Sequence, residues 1–332
     1  MRGTRTDSNR QDINRIGIGV AAGIVGLTLL LAAELTLQPM PMVPVLRYRP
    51  PARAVNVVTA ANPAIGYAVA PTVDSLRTAF VRVGYDLDTV RETLRPVPRL
   101  RLINLPEDLP DVKDVEARKE LFLGVALPMI LEANQHVAGQ RARLLHIAER
   151  LNLGQTVPEE QMAWLARLAE EYKTVPDRID LLLRRVDTVP VSLMLAQAAA
   201  ESGWGTSRFA LEGNAIFGQW TTARGKGLVP LERPEGKTYK VRAFDRLIDS
   251  FSAYLLNINT HRAYVEFRIK RAEMRRAGRS LDGAELAGAL TSYSERGQDY
   301  IDMLRGIIRV NRLQPFDKAQ LGDTVVGFVY GS

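Results

Sequence analysis

A chain of 332 residues with 46% apolar side chains is long enough to bury one large core or two smaller ones. It has no cysteine, which excludes a thiol nucleophile, a disulfide framework and thiolate metal sites. Its three histidines, His136, His146 and His261, match no metal-ligand spacing, so no metal and no cofactor are expected. The net charge is +7, and residues 262–279 hold seven of the basic side chains against Glu266 and Glu273. No nucleic-acid motif accompanies that run, so no nucleic-acid partner is expected. It reads as the solvated face of a helix that turns Tyr264, Phe267 and Met274 inward.

In chain order, residues 1–15 form a polar tail carrying Arg2, Arg5, Arg10 and Arg15. Residues 16–37 are apolar except for Glu34, and a helix of about 20 such residues spans a bilayer core. A cleavable signal peptide is the competing reading, but its apolar core runs to only about 7–15 residues before a small-x-small site. The expectation is an uncleaved transmembrane anchor. The basic residues before the span outnumber Arg47, Arg49 and Arg53 after it, which puts the tail in the cytoplasm and exports everything beyond. Residues 38–111 hold eleven of the eighteen prolines and read as an extended stalk, within which 72–93 has helical or strand periodicity.

From residue 112 the signals become helical. Residues 115–153 read as one long helix or a pair, kinked at Pro128. Shorter helices are expected over 158–172, 176–186, 247–259, 263–278, 283–290 and 297–311, the last with Ile301, Leu304 and Ile308 as an apolar stripe. Residues 225–245 are the convincing β region, with alternating Tyr239, Val241 and Ala243 and a Pro-Glu-Gly turn. The tail at 313–332 ends in Val-Val-Gly-Phe-Val-Tyr, which suits one docked strand.

The stretch at 188–220 concentrates the chemistry. Pro190 and Gly203 bracket a helix whose last turn carries Glu201 after ten nearly unbroken apolar or small residues. The negative end of the helix dipole and the apolar surroundings both disfavour the carboxylate, so the acid should hold its proton near neutral pH, as a general acid requires. Met194, Gln197 and Ala198 share its helical face. Gly203 and Gly205 permit tight turning around Trp204, which offers a face for a sugar ring but suits core packing better.

These residues carry a resemblance. The run from Leu195 to Ser207 with its Glu-Ser-Gly-Trp-Gly, followed by Asn214-Ala-Ile-Phe217-Gly, is similar to the glucosaminidase domain of glycoside hydrolase family 73, and within it to the Bax-type bacterial proteins. Arg242-Ala-Phe-Asp245, Ser250-Phe-Ser-Ala-Tyr254 and Tyr293-Ser-Glu-Arg-Gly-Gln-Asp-Tyr300 extend the likeness across about 112–312. The resemblance implies a mainly α, lysozyme-like helical domain with a small β-hairpin lobe over a glycan cleft. It also implies cleavage of the β-1,4 bond after N-acetylglucosamine in peptidoglycan. Glu201 matches the family's general acid and Tyr293 its cleft tyrosine, while Gln197, Asn214 and Phe217 belong to the shared motif. The chain departs from the pattern at Gln219-Trp220, where an aliphatic residue and a lysine are usual, and Trp220 offers either an extra stacking face or packing.

For a second carboxylate the β-lobe supplies Glu232 and Glu235. Glu232 is preferred, because Glu235 falls in a turn where an exposed acid is ordinary. A substrate acetamido group can also take the nucleophile's part. The reading is therefore a peptidoglycan hydrolase, anchored in the inner membrane, with its catalytic domain in the periplasm and glycan strands as its partner. The rivals are a lytic transglycosylase on the same fold and a non-catalytic glycan-binding scaffold.

Overall fold

The computed structural model describes residues 55–60, 72–222, 227–233 and 236–330. The expected polar tail and the apolar span at 16–37 lie outside them. After a short strand β1 (Val55–Ala60), the chain forms α1 (Val73–Val83) and α2 (Leu87–Thr93), each opened by a side-chain cap: Thr72 accepts from the Ser75 amide and Asp86 from the Thr89 amide. Strand β2 (Val97–Leu100) leads into α3 (Val115–Asn152), the 38-residue axis of the core. Around it lie α4 (Glu159–Glu171), α5 (Ile179–Arg185), α6 (Val191–Ser202) and α7 (Arg208–Gly213). Three short strands follow, β3 (Trp220–Thr221), β4 (Gly227–Leu228) and β5 (Lys240–Arg242). The remaining helices are α8 (Leu247–Thr260), α9 (Val265–Arg276), α10 (Gly283–Ala287) and α11 (Gln298–Val310), and strand β6 (Leu321–Tyr330) comes last.

The architecture is mainly helical with small sheets, and the expected helices are present with ends displaced by a few residues. The β-lobe is a three-stranded antiparallel sheet in the order β3-β5-β4, so Trp220 pairs with Val241 rather than preceding the lobe. The stalk expectation fails for residues 72–111. Leu76, Val90, Leu100, Leu102, Leu105 and Leu109 are all buried in the same core as α3. The prolines there do not force an extended spacer because they occupy tolerant positions. Pro98 lies in β2, an edge strand of the sheet β1-β6-β2, where a missing N–H removes no inner ladder bond. Pro110 opens a single 3-10 turn.

Helix α3 is the one described helix long and apolar enough to cross a membrane, and most of its apolar window is buried inside the protein. It is assigned as one helix through Pro128. A proline cannot donate to the carbonyl four residues before it, here Gly124, and the Tyr85 hydroxyl donates to that oxygen instead, at 3.2 Å.

The basic run at 262–279 is not simply a solvated face. Arg268 and Arg271 are 3% and 0% exposed. Arg268 donates to the Ile258 and His261 carbonyls at the end of α8, and Arg271 to the Arg184, Asp187 and Thr188 carbonyls and to Asn259 Oδ1. Guanidinium groups have five donors and suit this purpose, satisfying the carbonyls that helix ends leave open.

Candidate active site

Helix α6 sits at the centre of the molecule, with nine of its residues from Val191 to Ala199 buried. Its entry is fixed from several sides. Asn134 of α3 exchanges two hydrogen bonds with Val189, and Asn259 of α8 donates to the Asp187 carbonyl. Pro190 supplies no side-chain cap. Asp317, far along the chain, does so by accepting from the Ser192 amide and hydroxyl, both at 2.8 Å.

The exit of α6 explains the Glu-Ser-Gly-Trp-Gly run residue by residue. Gly203 ends the helix at φ 58°, and Trp204 continues at the same positive φ. Ser202 is fully buried; its hydroxyl donates to the Ala198 carbonyl at 2.6 Å and accepts from the Gly205 amide at 2.8 Å, clamping the turn. A Cβ on Gly205 would come within 2.7 Å of the Phe122 ring, at a backbone φ of 78°. Gly205→Ala is accordingly expected to destabilise the protein by about 1–3 kcal/mol, read from urea unfolding midpoints.

Glu201 emerges from this turn into a cleft of about 1330 Å³. Burial pushes its carboxyl up to about 7, and the Tyr300 hydroxyl, which donates to Oε1 at 2.8 Å, holds it back from rising further. Among the described residues Oε2 has no hydrogen-bond partner. A carboxyl half-protonated near neutrality at the wall of a large cleft can deliver a proton to a bound ligand.

The cleft also receives Tyr293, Phe217, Trp220 and Glu232. Tyr293 stacks on Tyr300 with ring centroids 5.2 Å apart, Phe217 stacks on Tyr254, and Trp220 meets Tyr239 edge-on. Glu232 is exposed on the β-lobe with no ion pair among the described residues. The other cleft carboxyls with a polar partner are Asp249, paired with Arg246, Glu132, paired with Arg101, and Glu171, which accepts from Gln140.

Three expected substrate contacts do not reach the cleft. Gln197 is fully buried beneath it. Asn214 ends α7 in a left-handed conformation with its amide on the Phe244 carbonyl, serving the backbone. Trp204 packs edge-on against Phe122 with Lys119 over its ring, on the side of the turn away from the cleft. Glu235 lies outside the described residues. Conversely, the sequence reading missed Tyr300 and Tyr254, which surround Glu201 through Gln197. The family motif included both tyrosines, but Tyr300 falls on the apolar stripe of α11 and therefore resembles a core residue.

The mannosyl-glycoprotein endo-beta-N-acetylglucosaminidase model of the glucosaminidase family matches residues 179–313, a span that contains Glu201 and its tyrosines. The chain is 33% identical over 213 residues to Protein bax of Escherichia coli (strain K12), covering 61% of this chain and 74% of that protein. Among solved structures it is similar to the catalytic domain of the autolysin Auto from Listeria monocytogenes, at 16% identity over 52% of this chain and 96% of that chain, with a TM-score of 0.30. With the family model lying over the acid-bearing turn and a relative this similar across most of its length, the chain belongs to the glucosaminidase family.

Proposed function

We propose that this protein hydrolyses the β-1,4 bond after N-acetylglucosamine in peptidoglycan, with Glu201 as the general acid. The observation that carries the reading is a buried carboxyl with a pKa of about 7 opening on a cleft large enough for several sugar rings. Glu201 protonates the leaving oxygen, and Tyr293, Phe217 and Trp220 supply ring faces along the cleft. Glu232 is the second carboxylate candidate, and the substrate's own acetamido group is the other. Loss of activity in Glu232→Gln favours the first, and retention the second. The apolar span at 16–37 supports placement of the domain outside the inner membrane, checked by resistance of the full chain to alkaline carbonate extraction.

Digestion of purified sacculi followed by mass spectrometry tests the activity. Reducing N-acetylglucosamine ends support the proposal, anhydro-muramic ends replace it with a lytic transglycosylase, and no soluble product replaces it with a binding protein. The acid must be protonated before reaction, so activity should fall as pH rises through about 7, where Glu201 ionises. A pH profile of kcat on sacculi checks this, and an alkaline limb well above that value counts against Glu201 as the acid.

A further inference from the structure

Three buried side chains behind Glu201 form a chain of hydrogen bonds that all run one way. Tyr254 of α8 donates to Gln197 Oε1; Gln197 Nε2 of α6 donates to the Tyr300 hydroxyl at 3.1 Å; Tyr300 of α11 donates to Glu201 Oε1 at 2.8 Å. None of the three is more than 1% exposed. Resting on the reading of Glu201 as the general acid, we propose that this relay fixes the catalytic proton on Glu201 Oε2, so that Tyr254, Gln197 and Tyr300 are positioning residues for proton delivery.

The direction of the chain is set two links away from the acid. A tyrosine hydroxyl carries one proton, and Tyr254 gives it to the Gln197 oxygen, which settles which end of the amide faces Tyr300. Facing an amide N–H, Tyr300 accepts there and has its own proton to donate to Glu201 Oε1. With Oε1 receiving a donor, the single proton of the neutral carboxyl belongs on Oε2, the oxygen left without a partner at the cleft wall. When that proton leaves, the Tyr300 bond becomes charge-assisted and strengthens, so the relay favours the state that follows proton transfer over the one that precedes it.

The titratable groups that face Glu201 are Tyr254, Tyr264, Tyr293 and Tyr300, drawn from α8, the turn before α9, the segment before α11 and α11 itself. Burial holds all four above the ordinary tyrosine range, with Tyr264 at about 12, so none changes charge near neutral pH. Among the described residues, Tyr300 is the only side chain that adjusts the Glu201 carboxyl against its burial.

The test reads the proton directly, in the free full-length protein, as the infrared C=O stretch of the protonated carboxyl against pH, with Glu201→Gln as blank. Tyr300→Phe keeps the ring that stacks on Tyr293 and removes the last donor. Its midpoint should move up by about one pH unit or more, and kcat on sacculi should fall about tenfold to a hundredfold with KM little changed. Tyr254→Phe, remote from the cleft, frees Gln197 to turn its oxygen toward Tyr300 and should shift the midpoint in the same sense by less. An unmoved midpoint in Tyr300→Phe overturns the relay; if that variant does not fold, an unmoved midpoint in Tyr254→Phe does so. Should the wild type release nothing from sacculi, the proposed hydrolase activity fails while the infrared titration still decides the relay.

Discussion

Glu201→Gln is expected to lower kcat on sacculi by about two to four orders of magnitude, the range over which a positioned general acid acts. The same change should make the protein more stable at alkaline pH. The carboxyl ionises at about 7 in the folded chain, against an ordinary value of 4.5. Between those values the folded state keeps a proton that the unfolded state releases, so wild-type stability falls as pH rises from about 4.5 to 7 and stays at the lower level beyond. The difference corresponds to ~3 kcal/mol. Glutamine keeps an oxygen for Tyr300 but never ionises. Urea unfolding at pH 8 should show the gain, and at pH 4 it should vanish. Equal stability of variant and wild type at pH 8 would mean that Glu201 is solvated.

Arg271→Ala should be the most damaging single change in the basic run, costing about 3–5 kcal/mol, the range for breaking a buried ionic network. Burial pushes the Asp187 carboxyl up, and the guanidiniums of Arg271, Arg275 and Arg141 together outweigh it and hold it below the ordinary range. Arg271 itself is pushed down to about 10 by complete burial. Removing it leaves four acceptors, three carbonyls and the Asn259 amide oxygen, without a donor in a dry interior. It also loosens the segment that leads into α6, so activity should decline with stability. Arg279→Ala, eight residues on and exposed beside Glu285, should leave the melting temperature unchanged. Thermal unfolding of the two variants side by side separates a buried scaffold from a charged surface.

Much of the catalytic helix was legible in the sequence because its boundaries are chemical. Pro190 and Gly203 bracket α6, and the apolar run before Glu201 forecasts the burial that raises its pKa. The surroundings were less legible, for reasons of distance and of disguise. The relay joins residues 57 and 103 positions apart, which no local period encodes. Arg271 looked like solvent-facing charge because composition does not reveal which carbonyls will need a donor. Trp204 beside the acid invited a binding role, yet its positive φ turns it toward Phe122 and Lys119. The proline count over 38–111 merged residues before 72 with a folded segment whose prolines sit at an edge strand and a turn.

Strand β6 has a consequence for the order in which the protein can be made. It lies between β1 and β2, with Val55 opposite Tyr330 and a parallel pairing to Val97–Leu100. Both partners emerge early in synthesis, yet neither has a neighbour until the last residues of the chain arrive. The helices around α6 rely on contacts already synthesised by then, whereas the sheet must close across almost the entire length, the slow kind of step in folding. During translation the backbone edges of β1 and β2 stay open to other chains, and completing β6 removes that hazard from the inner strand faces.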